Sequence, residues 1–139
     1  MRKFLLLLAL SAFASCNKDS DNNCSLSEAN LTGSYKLTSV TYKPSATSSE
    51  VNYIDSIFEA CEKDDIITLN SDHTYNYIDA GTACSPTGND SGTWSLNGNV
   101  LSVDGGPSPI ENFNCSSFSG SQSDFLITGD KITFSYTKQ

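Results

Sequence analysis

Residues 61–103, CEKDDIITLNSDHTYNYIDAGTACSPTGNDSGTWSLNGNVLSV, hold four runs in which apolar and polar side chains alternate, separated by residues that favour turns. Ile67 and Leu69 alternate with polar neighbours, Ser71-Asp72-His73 has the chemistry of a tight turn, and Tyr75 and Tyr77 share one face of the returning run. Trp94 and Leu96 repeat the alternation, Asn97-Gly98-Asn99 tolerates positive φ, and Leu101 and Val103 carry the chain back. A period of two puts successive side chains on opposite faces of a strand, so each run has one apolar face. The stretch therefore reads as a β-meander.

The flanks extend the same pattern. Toward the C-terminus, residues 105–109 are rich in Gly and Pro and read as a turn or open loop. Residues 110–118 carry Phe113, Cys115 and Phe118 and read as an irregular edge strand. Residues 123–128 and 131–138 flank Gly129-Asp130 as a second hairpin, with Ile132, Phe134 and Tyr136 alternating. Toward the N-terminus, Ser25 and Glu28 have capping-box spacing, which predicts a helical turn over 26–31 before Gly33. Tyr35 and Leu37 fall on one face of the next strand and Val40 and Tyr42 on the other, so a β-bulge near Thr38 or Ser39 is expected. Residues 44–49 read as a loop. Thr47 and Glu50 repeat the capping-box spacing, and Val51, Ile54 and Phe58 recur at three and four, predicting a short amphipathic helix over 50–60 that serves as a lid or as a cover for one end of the core. Seven or eight sequential strands with almost no helix point to an all-β, antiparallel up-and-down barrel, which removes exposed strand edges.

The first fifteen residues read as a signal peptide: Arg2 and Lys3, an apolar run over 4–10, and small residues up to Cys16. The apolar run is shorter than the roughly 20 residues a membrane-spanning helix needs. Residues 13–16, Phe-Ala-Ser-Cys, resemble the lipobox of bacterial lipoproteins, which implies lipidation at Cys16. One acyl chain holds a protein to a bilayer only marginally, whereas two give lasting attachment. Residues 17–23 contain no apolar side chain and read as a tether; Asp19-Ser20-Asp21 opens like a calcium loop, but the glycine and the final glutamate of such a loop are missing. The organisation expected is thus a leader over 1–15, a lipid-anchored tether over 16–30 and one barrel domain over 31–139.

Setting Arg2 and Lys3 aside leaves six basic residues against sixteen acidic, a formal charge of −10. Such a surface repels nucleic acid. With Cys16 acylated, Cys24, Cys61, Cys84 and Cys115 form an even set, as expected of an oxidising compartment. Three pairings can be drawn. Cys61 with Cys84 is favoured because the two flank a hairpin made by their own neighbouring strands, and Cys24 with Cys115 follows by elimination. Without CxxC spacing, and with a single histidine, the sequence points to no metal site.

Residues 31–40, LTGSYKLTSV, are similar to the opening strand of the lipocalin-like domains of Bacteroidetes lipoproteins. Residues 61–65, Ser71-Asp72, Cys84, the run GTWSLNGN at 92–99 and Leu101 resemble that family's central block, in order. Tyr35 stands where the family more often has tryptophan, and His73 where it usually has glycine. The resemblance implies a small barrel with a Cys61 to Cys84 bridge, displayed as an outer-membrane lipoprotein on the periplasmic face or the cell surface. It implies no catalytic residue and no cofactor.

Enzyme motifs are missing as well. His73 is the one general-base candidate and reads as a surface turn residue; Glu59, Glu62, Asp64 and Asp65 read as solvated carboxylates rather than a hydrolytic pair. The aromatic side chains remain. Tyr35, Tyr75, Tyr77, Trp94 and Phe134 are the expected lining of a ligand site for a small apolar or amphipathic molecule, with Phe125 and Tyr136 on the same strands. An eight-stranded barrel is just wide enough to be filled by side chains or to hold one small ligand. The alternative reading is a solid barrel whose loops at 44–49, 85–91 and 105–109 meet a protein partner.

Overall fold

The computed structural model describes residues 24–139; the leader, Cys16 and the tether through residue 23 lie outside them. Nine strands follow one another: β1 (Gly33–Lys43), β2 (Val51–Asn52), β3 (Ile66–Leu69), β4 (Thr74–Ile78), β5 (Asp90–Asn97), β6 (Val100–Val103), β7 (Gly106–Phe113), β8 (Ser117–Ser123) and β9 (Lys131–Lys138). All pairings are antiparallel: β1 pairs with both β2 and β3, each strand from β3 onward pairs with the next, and β9 returns to pair with β1. Eight strands thereby close into a barrel, while β2 pairs only with Thr41 and Tyr42 at the far end of β1. The expected bulge is present as a register shift between Leu37 and Ser39, and it brings Tyr35, Leu37, Val40 and Tyr42 onto one inward row.

The two ends differ. At the N-terminal end, α1 (Glu28–Leu31) packs Leu31 into the core, and Cys24 is bonded to Cys115 in the β7–β8 turn. At the opposite end, α2 (Ile54–Ile57) and its neighbours Tyr53 and Phe58 lie over Leu37, Val40, Tyr42 and Ile132, and Cys61 is bonded to Cys84. Both bridges are the pairs that the sequence favoured.

Five segments depart from expectation. The helix over 50–60 is reduced to α2: Val51 is half exposed in β2, Asn52 Oδ1 accepts the Ile54 amide, and the N-cap position is Tyr53 rather than Thr47. The turn over 26–31 is shorter too, because Ser27, not Ser25, accepts the Asn30 amide.

The stretch 105–109 is mostly strand. Because the Ile110 amide points to Asn99 beside β6, Pro107 and Pro109 turn their ring nitrogens to the other side, where β7 is not yet paired with β8. Residues 110–118 are not an edge either; a turn at 114–116 divides them between β7 and β8, both inside the closed sheet.

Residues 124–130 form a loop instead of a strand. The Asp130 carboxylate accepts the amides of Phe125, Leu126 and Ile127, gathering the chain into a compact turn and leaving Leu126 and Ile127 exposed.

Candidate functional site

Inward positions on the meander are filled from both ends. Tyr35, Leu69, Tyr75, Trp94, Leu101, Ile110 and Phe118 pack with Leu31 as one cluster, and the residues beneath α2 form a second. Tyr136 of β9 packs against both, opposite Leu37 in register and stacked on the Phe118 ring at 4.9 Å.

Between the clusters lies a cavity of about 150 Å³. Its wall is apolar: Ile67 and Leu69 from β3, Leu101 and Val103 from β6, and Phe118, Phe134 and Tyr136 from β8 and β9. Gly120 leaves room on the β8 side, where an added Cβ would stand 2.7 Å from the Ser108 hydroxyl. A second void of about 30 Å³ lies toward α2, bounded by Tyr35, Leu37, Phe58, Glu62, Asp65 and Tyr77, and it shares Ile67 and Tyr136 with the first. Three larger hollows, about 340, 440 and 520 Å³, are depressions bordered by polar or charged groups such as Lys43 and Lys131, Asn112 and Ser119, and Asn76 and Ser91. They are open to solvent and lack the desolvated apolar wall that holds a small molecule.

The structure divides the five aromatic residues of the expected lining. Phe134 borders the larger void, Tyr35 and Tyr77 the smaller, and Tyr75 and Trp94 neither. Trp94 is buried near the N-terminal end, its indole N–H donating to the Asn70 carbonyl and His73 meeting its ring edge-on at 5.5 Å. The His73 Nε2 lies 3.2 Å from Glu28, in an exposed turn.

Tyrosine hydroxyls organise the polar groups of the interior. Tyr35 donates to the Leu31 carbonyl, tying α1 to the barrel, and burial pushes its pKa up to about 12. Tyr75 donates to Asp104 at 2.7 Å and lies 3.2 Å from Asp90; the bond to Asp104, then burial, raises its pKa. The Thr93 amide and Tyr75 together hold the Asp104 carboxyl below the usual range. This approach requires Gly92, where a Cβ would stand 2.2 Å from Asp104. Tyr77 donates to the buried Asp65, and burial first, then that bond, raises its pKa.

Sequence reasoning had Tyr136 on a strand but outside the site. Alternation gave its inward direction; its contact with both voids depends on which rings meet across the barrel, information that no local pattern carries.

A closed antiparallel meander with a partly filled interior defines the class: a small up-and-down β-barrel built around side chains and one apolar cavity. Residues 31–122 match the family model described as Lipocalin-like domain, and the chain belongs to that family. No curated protein matches the chain. The two disulfides mark an extracytoplasmic protein, and among the described residues no helix is long and apolar enough to cross a membrane.

Proposed function

We propose that this protein is a non-enzymatic, lipid-anchored binding module that holds one small apolar molecule inside its barrel. The observation that carries this reading is the interior cavity of about 150 Å³, walled by aliphatic and aromatic side chains. Drug-sized ligand sites occupy roughly 300 to 1,000 Å³, so long acyl chains and multi-ring ligands are excluded. A dry apolar cavity of about 150 Å³ takes benzene. The ligand is accordingly no larger than a single ring, held by Ile67, Leu101, Phe118, Phe134 and their neighbours. Acylation at Cys16, following a leader over 1–15, attaches the module to an outer membrane of the Bacteroidetes type, facing the periplasm or the cell exterior.

The experiment is a titration with benzene, read by NMR shifts of the core methyl groups. Saturable binding with a Kd on the order of 1 mM is expected. Ser108→Leu, which places a larger apolar side chain beside Gly120, should abolish it while the barrel stays folded.

A second reading has its own support. Most inward rings are packed, and exposed apolar Val51, Leu126 and Ile127 lie around the α2 end of β1 and β9. These suit a barrel that is solid for practical purposes and meets a protein partner at that end through the loops at 44–49 and 124–130. Wild-type protein without saturable benzene binding favours this second reading.

A further inference from the structure

Tyr136 is set apart from the other inward tyrosines. The hydroxyls of Tyr35, Tyr42, Tyr75 and Tyr77 each donate a hydrogen bond within the fold. The hydroxyl of Tyr136 has no partner among the described residues, and burial alone pushes its pKa up to about 12. Tyr136 lines both voids and shares the smaller one with Tyr77. Among the described residues Asp64 Oδ1 is the one side-chain oxygen closed off without a partner, so the Tyr136 hydroxyl, unpaired as it is, keeps accessible surface on which a guest can bond. The fold thus keeps a polar handle at the wall that the two voids share.

The surrounding charges restrict what can use that handle. No Lys or Arg lines either void, whereas Glu62 and Asp65 border the smaller one, and Asp90 and Asp104 lie at the same end of the sheet. A carboxylate or phosphate entering there meets only like charge and finds no cation to replace its water. A neutral group that exchanges a hydrogen bond with Tyr136 meets neither obstacle.

Resting on the reading of the barrel as a binding module, we propose that Tyr136 is the anchoring residue of the site and that the ligand is a neutral, phenol-like molecule. Its ring fills the 150 Å³ cavity and its hydroxyl hydrogen-bonds to Tyr136 at the 30 Å³ void. Ser108 contributes the other side-chain hydroxyl of the larger cavity, but it lies on β7, against Gly120 and apart from the smaller void.

Phenol and benzene separate this proposal from the reading beneath it. In a wholly apolar cavity phenol binds more weakly than benzene, because its hydroxyl is buried without a partner. Wild-type protein should instead bind phenol at least as tightly as benzene, and Tyr136→Phe should weaken phenol about tenfold while leaving benzene within about twofold. Benzoate should not bind. In the wild type, intermolecular NOEs should connect phenol ring protons to Tyr136 and Phe134, a measurement that needs no variant to fold. Several results would overturn the proposal and spare the binding module: benzene binding with phenol much weaker, a phenol affinity unmoved by Tyr136→Phe, a phenol preference lost in Ser108→Ala instead, benzoate binding as tightly as phenol, or NOEs that miss Tyr136. Binding of neither benzene nor phenol would overturn the proposal and the module together.

Discussion

Asp130 is 2% exposed, and its two oxygens accept four hydrogen bonds, from the Tyr42 hydroxyl and the amides of Phe125, Leu126 and Ile127. Burial pulls its pKa upward, but the four donors outweigh burial and hold the carboxyl below its usual range. Asp104 is lowered by the Thr93 amide and Tyr75, and Glu111 by Lys131 and Ser121. A carboxyl whose native pKa is depressed stabilises the fold fully above its unfolded value, about 4, and that contribution disappears as pH falls through the native value. Thermal midpoints should therefore be flat from pH 7 to about 5 and fall steeply below 4. Asp130→Asn should lower the midpoint at pH 7 by roughly 5 to 10 °C and flatten the acid limb, because the substituted side chain no longer titrates. An acid limb as steep as that of the wild type would remove Asp130 from the account. Little of this was legible beforehand: Gly129-Asp130 looked like the tip of a two-residue hairpin, and nothing local distinguishes an aspartate that decorates a turn from one that gathers three amides.

At the scale of elements, period-two alternation made β3 through β6 legible because each run has one buried and one wetter face. The same logic failed where a segment's conformation is set by a distant partner. Leu126 and Ile127 look like strand residues, yet they are exposed, their own amides being claimed by Asp130. Pro107 and Pro109 look like loop residues, yet they fit β7, whose pairing with β8 starts only at Ile110. The cysteines were legible because their positions relative to the hairpins restricted the pairing. Cys24–Cys115 spans 91 residues and Cys61–Cys84 spans 23, so in the chain-entropy model the two bridges stabilise by roughly 4.5 and 3.5 kcal/mol. Replacing both members of each pair by serine should cost more for the longer loop, by about 1 kcal/mol in urea titrations. Equal losses, or a larger loss at Cys61–Cys84, would show that local packing beneath α2 outweighs the restraint on the unfolded chain.

For the molecule as a whole, barrel closure followed from strand count and the family resemblance, whereas how full the barrel is did not. That property depends on which side chains of non-adjacent strands meet inside the barrel, as Tyr35 of β1 and Phe118 of β8 do, and on Gly120 leaving space. The polarity of the barrel is legible once Cys24 is placed. It is bonded to the β7–β8 turn at the end closed by α1, while the smaller void lies against Phe58 and Glu62 at the other end. With Cys16 acylated as proposed, the eight residues from Cys16 to Cys24 reach at most about 28 Å. The α1 end is then held near the bilayer and the α2 end is directed into the aqueous space, where a small ligand or a partner arrives. Strands of eight residues are roughly 27 Å long, enough separation for a distance-dependent quencher to resolve. A fluorophore at Asn97, the last residue of β5 at the α1 end, should be quenched by nitroxide-labelled lipid headgroups in vesicles carrying the acylated protein. One at Leu126, in the β8–β9 loop of the α2 end, should be largely spared. Stronger quenching at Leu126 would mean that the barrel lies with its α2 end against the membrane, which would make the exposed Val51, Leu126 and Ile127 a bilayer contact.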